Sequence, residues 1–223
     1  MRRRRLLFLV VLCNSLLLSP APAAAADECR GLDVCISVPG PWVAVPAAPR
    51  GGTRTVLYRL SCPRSSIAAG TDALRPAGLE VTFVGVTGSP VSPGVTTERE
   101  VWFVAVSARP APTSFRPFLG CVPTSGGGGR STTARTAAAP QPPFARRARN
   151  LTRSGSLSCR SGERLVAVSY AVGFRLRSAP APVTLTAVRV TVRRRGDRAV
   201  ATVARTVTAA HVQLQVLCAR RNA

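Results

Sequence analysis

Cysteine and arginine are the two residue types in this 223-residue chain whose number and spacing point to chemistry. There are 7 cysteines. Cys13 falls within the N-terminal leader described below. The other six are Cys29, Cys35, Cys62, Cys121, Cys159 and Cys218. An even set in an exported chain implies a disulfide framework, and spacing narrows its connectivity. Cys62 to Cys121 is a step of 59, and Cys159 to Cys218 is again 59. Each interval opens on Leu-Ser-Cys. The pattern predicts an internal duplication with one bridge closing each copy, which leaves Cys29 and Cys35 to clip the short loop CRGLDVC. A metal reading of these cysteines is disfavoured: there is no C-x-x-C, and His211 is the sole histidine. No cofactor motif occurs.

Arginine supplies all 31 basic residues against 9 acidic ones, for a net charge of +22. The charge is unevenly placed. Residues 27 to 123 hold nine arginines against seven acids; residues 124 to 223 hold eighteen against two, Glu163 and Asp197. Alternation puts Arg175, Arg177, Arg189 and Arg193 on the polar side of their strands. A hairpin turning through residues 178 to 182 would gather them into one stripe, extended by Arg194, Arg195 and Arg198. Guanidinium forks match phosphate and carboxylate oxygens. The stripe therefore predicts an anionic polymer or anionic surface as partner. Sequence-specific nucleic acid is not expected, because aromatics are 5% of the chain and none interleaves with the stripe as a stacking platform.

Other candidates are weaker. Arg195-Gly196-Asp197 spells an adhesion tripeptide, but Gly-Asp is also ordinary turn chemistry. His211 sits on the polar side of the last strand, and no Gly-x-Ser-x-Gly surrounds any serine. Glu98 and Glu100 share a face and could form a carboxylate pair. They read more simply as a polar strand start. Gly126 to Gly129 lack the strand-loop-helix setting of a phosphate loop. Asn150-Leu151-Thr152 is a glycosylation sequon.

The cysteine frame resembles the β modules of exported proteins from GC-rich bacteria. Those modules open on Cys-Pro-x-Gly, carry a central Trp strand and close on a cysteine. Cys62-Pro63-Arg64-Ser65 keeps the proline and lacks the glycine; Cys159-Arg160-Ser161-Gly162 does the reverse. Trp102 in Val101-Trp102-Phe103-Val104 fits the Trp strand, and the second copy has no Trp. The resemblance spans roughly Leu60 to Arg221. It implies a fold type and an exported location, and no activity.

The elements that must position these residues are strands. Val56, Tyr58, Leu60 and Cys62 alternate with other residues, as do Val166 to Leu176, Val188 to Val192 and Val212 to Cys218. Period-two runs rich in β-branched residues predict an all-β fold. It is expected as two tandem, disulfide-closed, antiparallel β-sandwich-like modules, either separate or packed as one larger sandwich. Residues 1–26 read as a signal peptide: Arg2 to Arg5, an apolar run from Leu6 to Leu18, and Ala24 to Ala26 before Asp27. Residues 27–52 are a Pro-rich segment with the Cys29–Cys35 loop, 53–123 the first module, 124–149 a flexible Gly/Pro/Arg linker and 150–223 the second module. The mature chain has no stretch apolar enough to span a membrane. The expected product is a secreted or cell-envelope protein, non-catalytic, that binds an anionic partner. A purely structural envelope role and a secreted hydrolase using His211 or the glutamates are the alternatives.

Overall fold

The structure is a computed structural model that describes residues 27–32, 34–84, 99–124, 144–205 and 208–221. The leader, Glu98, the glycine run and most of the linker lie outside these residues. Thirteen strands and one short helix are described, so the fold is all-β. The first half holds β1 (Ile36–Pro39), β2 (Trp42–Val45), β3 (Arg54–Ser61), β4 (Ser66–Leu74), β5 (Leu79–Val84), β6 (Glu100–Ser107) and β7 (Thr113–Pro123). The second holds β8 (Phe144–Leu151), β9 (Gly155–Ser158), β10 (Glu163–Phe174), α1 (Pro182–Leu185), β11 (Val188–Arg195), β12 (Arg198–Arg205) and β13 (Ala210–Arg220).

All described pairing is antiparallel, and its order is the same in the two halves. In the first, β3-β6-β5 form one sheet, and β7 pairs β4 on one side and β1 then β2 on the other. In the second, β9-β12-β11 form one sheet, and β13 lies between β10 and β8. The agreement reaches single residues. Ala68 pairs Cys121 and is followed by a bulge; Leu165 pairs Cys218 and is followed by a bulge. Ser65 and Gly162, each three residues past a module-opening cysteine, both take positive φ, 64° and 80°. Each carbonyl accepts a backbone N–H, from Thr124 and Arg221 respectively. Cys62 bonds Cys121, Cys159 bonds Cys218 and Cys29 bonds Cys35, the connectivity expected from spacing.

The two halves are not separate beads. β2 pairs β7 through Val43↔Phe115 and β10 through Gly173↔Val43 and Phe174↔Trp42. One seven-stranded sheet therefore runs through both halves, with β2 as the shared strand. The segment 27–52, set outside both modules on composition, supplies this joint. Residues 144 to 149, assigned to the linker, are most of β8.

Each half closes its own core. Val56, Tyr58, Val101, Phe103, Phe115, Leu119 and the Cys62–Cys121 bridge fill the first. Leu151, Leu165, Ala199, Ala201, Leu214, Val216 and Cys218 fill the second. α1 caps a third cluster through Leu185, beside Phe174 and Val212. The bulge after Leu165 shifts parity in β10, so Val166 faces outward although it continues the apolar alternation of Val168 to Phe174.

Candidate functional site

The outer face of the β11–β12–β9 sheet carries the arginines that remain in one patch. β11 alternates Val188, Val190 and Val192 inward with Arg189, Thr191 and Arg193 outward. The register places Arg193 beside Val200, Thr191 beside Thr202 and Arg195 beside Arg198. Residues two apart on a strand share a face. Arg189, Arg193, Arg195 and Arg198 thus stand together, all exposed. Arg193, Arg195, Thr191, Val200 and Thr202 line a shallow groove of about 330 Å³ with no carboxylate among the described residues.

The remaining members of the expected stripe lie elsewhere. Arg194 points the other way: its Nε donates to the Gly196 carbonyl at 3.2 Å and its Nη2 to the Leu165 carbonyl at 2.6 Å. It clips the hairpin to β10. Arg175 and Arg177 do not join the patch, because β10 pairs β13 and β2 rather than forming a hairpin with β11. The chain after β10 instead enters α1, and both arginines line a cleft between the halves.

The Arg195-Gly196-Asp197 tripeptide is a tight hairpin turn. Gly196 takes φ 56°, a conformation glycine adopts without steric cost. The Asp197 carboxylate is engaged locally: Oδ1 accepts the Leu165 N–H at 3.2 Å, and Oδ2 meets Arg221 at 2.5 Å. These contacts hold its pKa below the usual value, the backbone hydrogen bond first. An adhesive reading needs that carboxylate free.

The cleft is built from both halves. Its volume is about 580 Å³, and its lining includes Pro41, Tyr58, Arg116, Arg175, Arg177 and His211, with no acidic residue among the described residues. His211, placed by alternation on the polar side of its strand, is 6% exposed. Its register partner across the ladder is Gly173, and a Cβ there would sit 2.6 Å from the His211 ring and 2.8 Å from Pro41. Only a glycine lets the imidazole lie against the strand. The Tyr58 hydroxyl meets His211 Nε2 at 3.1 Å, while Nδ1 is buried with no partner among the described residues. Burial, then the nearby Arg175 cation, lowers the histidine pKa to about 4. Burial likewise raises Tyr58 to about 12. At neutral pH both rings are uncharged.

Next to His211, Gln213 and Gln215 are buried too, at 1% and 3% exposure. They cover the free edge of β3. Gln213 Oε1 accepts the Arg59 N–H at 2.6 Å, and its Nε2 donates to the Arg59 carbonyl at 3.0 Å. Gln215 Nε2 donates to the Leu57 carbonyl at 2.6 Å. These side-chain amides stand in for a strand that is not there. Arg59 strengthens the joint, bonding both oxygens of Glu100 at 3.0 Å and the Ala148 carbonyl at 2.9 Å. Glu100 is thereby held in an ion pair. Asn150 Oδ1 accepts from Gln213 at 3.0 Å.

Cys159, Glu163 and Cys218 also cluster, but the two sulfurs are bonded to each other and Glu163 pairs with Arg147 at 2.7 Å. Among the described residues no helix is long and apolar enough to cross a membrane. Three disulfides point to an oxidising compartment. No family model, curated protein or solved structure matches the chain.

Proposed function

We propose that the mature chain is an exported, non-catalytic protein that binds an anionic polymer at the cell exterior through the outer face of β11 and β12. One observation carries this reading. Arg189, Arg193, Arg195 and Arg198 share an exposed face, and Arg195 stands directly opposite Arg198. Like charges opposite each other in a sheet are destabilising, so the arrangement works against folding and favours an external anion. The charge also belongs to the half that carries the face, since the first half is nearly balanced. The exported location rests on the leader and the disulfide frame. The shared pairing order, paired bulges and paired positive-φ turns support reading the halves as copies, of which the second acquired the basic face. They also favour the resemblance to cysteine-framed modules of exported proteins.

Retention of the mature protein on immobilised polyphosphate, eluted by a salt gradient, tests the reading. Phosphate contacts weaken steeply with salt. Replacing Arg189, Arg193, Arg195 and Arg198 by Gln should move elution to clearly lower salt. Unchanged elution would sink the proposal and leave a structural role for the charge.

A further inference from the structure

We infer that the cleft between the two halves is a separate binding site for a small oxyanion bearing two or more negative groups. It does not rest on the basic face, because none of that face's arginines lines it. The observations converge from several elements. Arg116 comes from β7; Arg175 and Arg177 follow β10. Arg116 is held in place, its Nε donating to the Gly40 carbonyl at 3.0 Å and its cation 5.4 Å from the centre of the Phe118 ring. The side chains of Arg175 and Arg177 make no hydrogen bond or ion pair with any described residue. Elsewhere three arginines pair with carboxylates, Arg59 with Glu100, Arg147 with Glu163 and Arg221 with Asp197. Here three guanidiniums line one cavity with no carboxylate among the described residues.

The cavity wall also holds a reporter. Buried polar atoms in folded proteins are nearly always hydrogen-bonded. His211 Nδ1 is buried and has no partner among the described residues, on a side chain nine-tenths buried that lines this cleft. With the Tyr58 phenol donating to Nε2, the neutral ring carries its proton on Nδ1, a donor lacking an acceptor. The atom is closed to solvent, so His211 reports an occupied cleft through the field of the ligand rather than by touching it. The volume of about 580 Å³ suits a small molecule. Each guanidinium can take two oxygens of a phosphate or carboxylate, so three of them favour a multivalent ligand over a single charge. Leu60, Leu176 and Pro41 complete the lining.

The chain contains one histidine, which makes the site directly readable. The imidazole signals of His211 in the nitrogen-labelled mature protein are followed during titration with pyrophosphate and, separately, a tricarboxylate. The charged and titratable groups lining the cleft with it are Tyr58, Arg116, Arg175 and Arg177. An anion seated among them offsets the Arg175 field, so the His211 pKa should climb from about 4 as the site fills. Saturable shifts with pyrophosphate assign phosphate chemistry; shifts with the tricarboxylate assign carboxylate chemistry. Either supports the site. Arg175→Gln with Arg177→Gln should weaken that binding roughly tenfold or more, the loss expected for charge-assisted hydrogen bonds. Arg189→Gln with Arg193→Gln should leave it unchanged. The proposal falls if neither anion moves the His211 signals at millimolar concentration. It falls equally if the loss follows Arg189 and Arg193 instead of Arg175 and Arg177.

Discussion

β13 and β11 carry the same alternation and meet opposite fates. On β13, Val212, Leu214 and Val216 face a core, and His211, Gln213 and Gln215 form the polar side. On β11, Val188, Val190 and Val192 face inward, and Arg189, Thr191 and Arg193 form the polar side. The polar side of β13 is buried; that of β11 is exposed. Period-two patterning fixes which residues share a face and leaves open whether the polar face is covered. The chemistry of the polar residues decides it. A carboxamide offers a donor and an acceptor without charge, which suits the alternating groups of a strand edge. The edge of β3 is such a surface, and an uncovered edge invites pairing with another chain. A guanidinium has donors only and keeps its charge, so it stays where water can solvate it.

Exchanging the two chemistries breaks this comparison with the largest effect. Gln213→Arg would place a cation where the side chain is 1% exposed, and would also orphan the Arg59 N–H. An uncompensated buried charge costs about 3–5 kcal/mol. Urea denaturation should show a midpoint lowered by that order, or failure to fold. A shift within experimental error would mean that the two halves separate easily in solution.

Acid comes next. The folded-state pKa of His211 is depressed from 6.5 to about 4, so between these values the unfolded chain binds a proton that the folded chain refuses. The contribution of His211 to stability is therefore present above pH 6.5, declines as pH falls and is fully lost near pH 4. The loss amounts to about 3 kcal/mol. Denaturation midpoints measured across this window should fall with acid, and His211→Phe should flatten the slope. A slope identical in that variant would assign acid sensitivity to other groups.

Gln215→Leu is a gentler break. It keeps the volume and leaves the Leu57 carbonyl without its 2.6 Å donor. An unsatisfied buried acceptor costs about 1–3 kcal/mol. Chemical denaturation of this variant should fall between the parent and Gln213→Arg. Exchange of the β3 amides should also quicken, since their strand edge loses its cover.

These contrasts separate what was legible in the sequence from what was not. Equal 59-residue steps between cysteines led to the correct pairing of Cys62 with Cys121 and Cys159 with Cys218. Alternation located β3, β10, β11 and β13. Three features were hidden. The bulge at Val166 reverses parity with no change in residue type. Arg175 and Arg177 share the parity pattern of Arg189, yet strand partners are set by long-range topology that local alternation does not encode. β2 is a four-residue strand in a Pro-rich stretch, and what makes it the joint is the presence of β7 and β10 on its two sides. The buried glutamines did leave a signal. Three uncharged polar residues at alternate positions, in a chain whose other polar faces carry arginine, mark a face that meets protein.

The smallest effect tests the exposed side of the comparison most directly. Arg195 and Arg198 face each other across the hairpin, and Arg193 shares their face. Exposed charges interact weakly and are screened by salt. Arg195→Gln removes repulsion across the pair while keeping a polar, extended side chain. It should raise stability by a few tenths of a kcal/mol, about 0.5 at most, at low ionic strength. The gain should vanish by about 1 M salt, where the screening length falls to about 3 Å. The same substitution should weaken retention on polyphosphate. A gain in stability coupled to a loss of retention is what a face shaped for an anionic partner requires, since the repulsion is then relieved by the ligand. A loss of stability would mean that Arg195 has a structural role like that of Arg194, and the basic face would shrink to Arg189, Arg193 and Arg198.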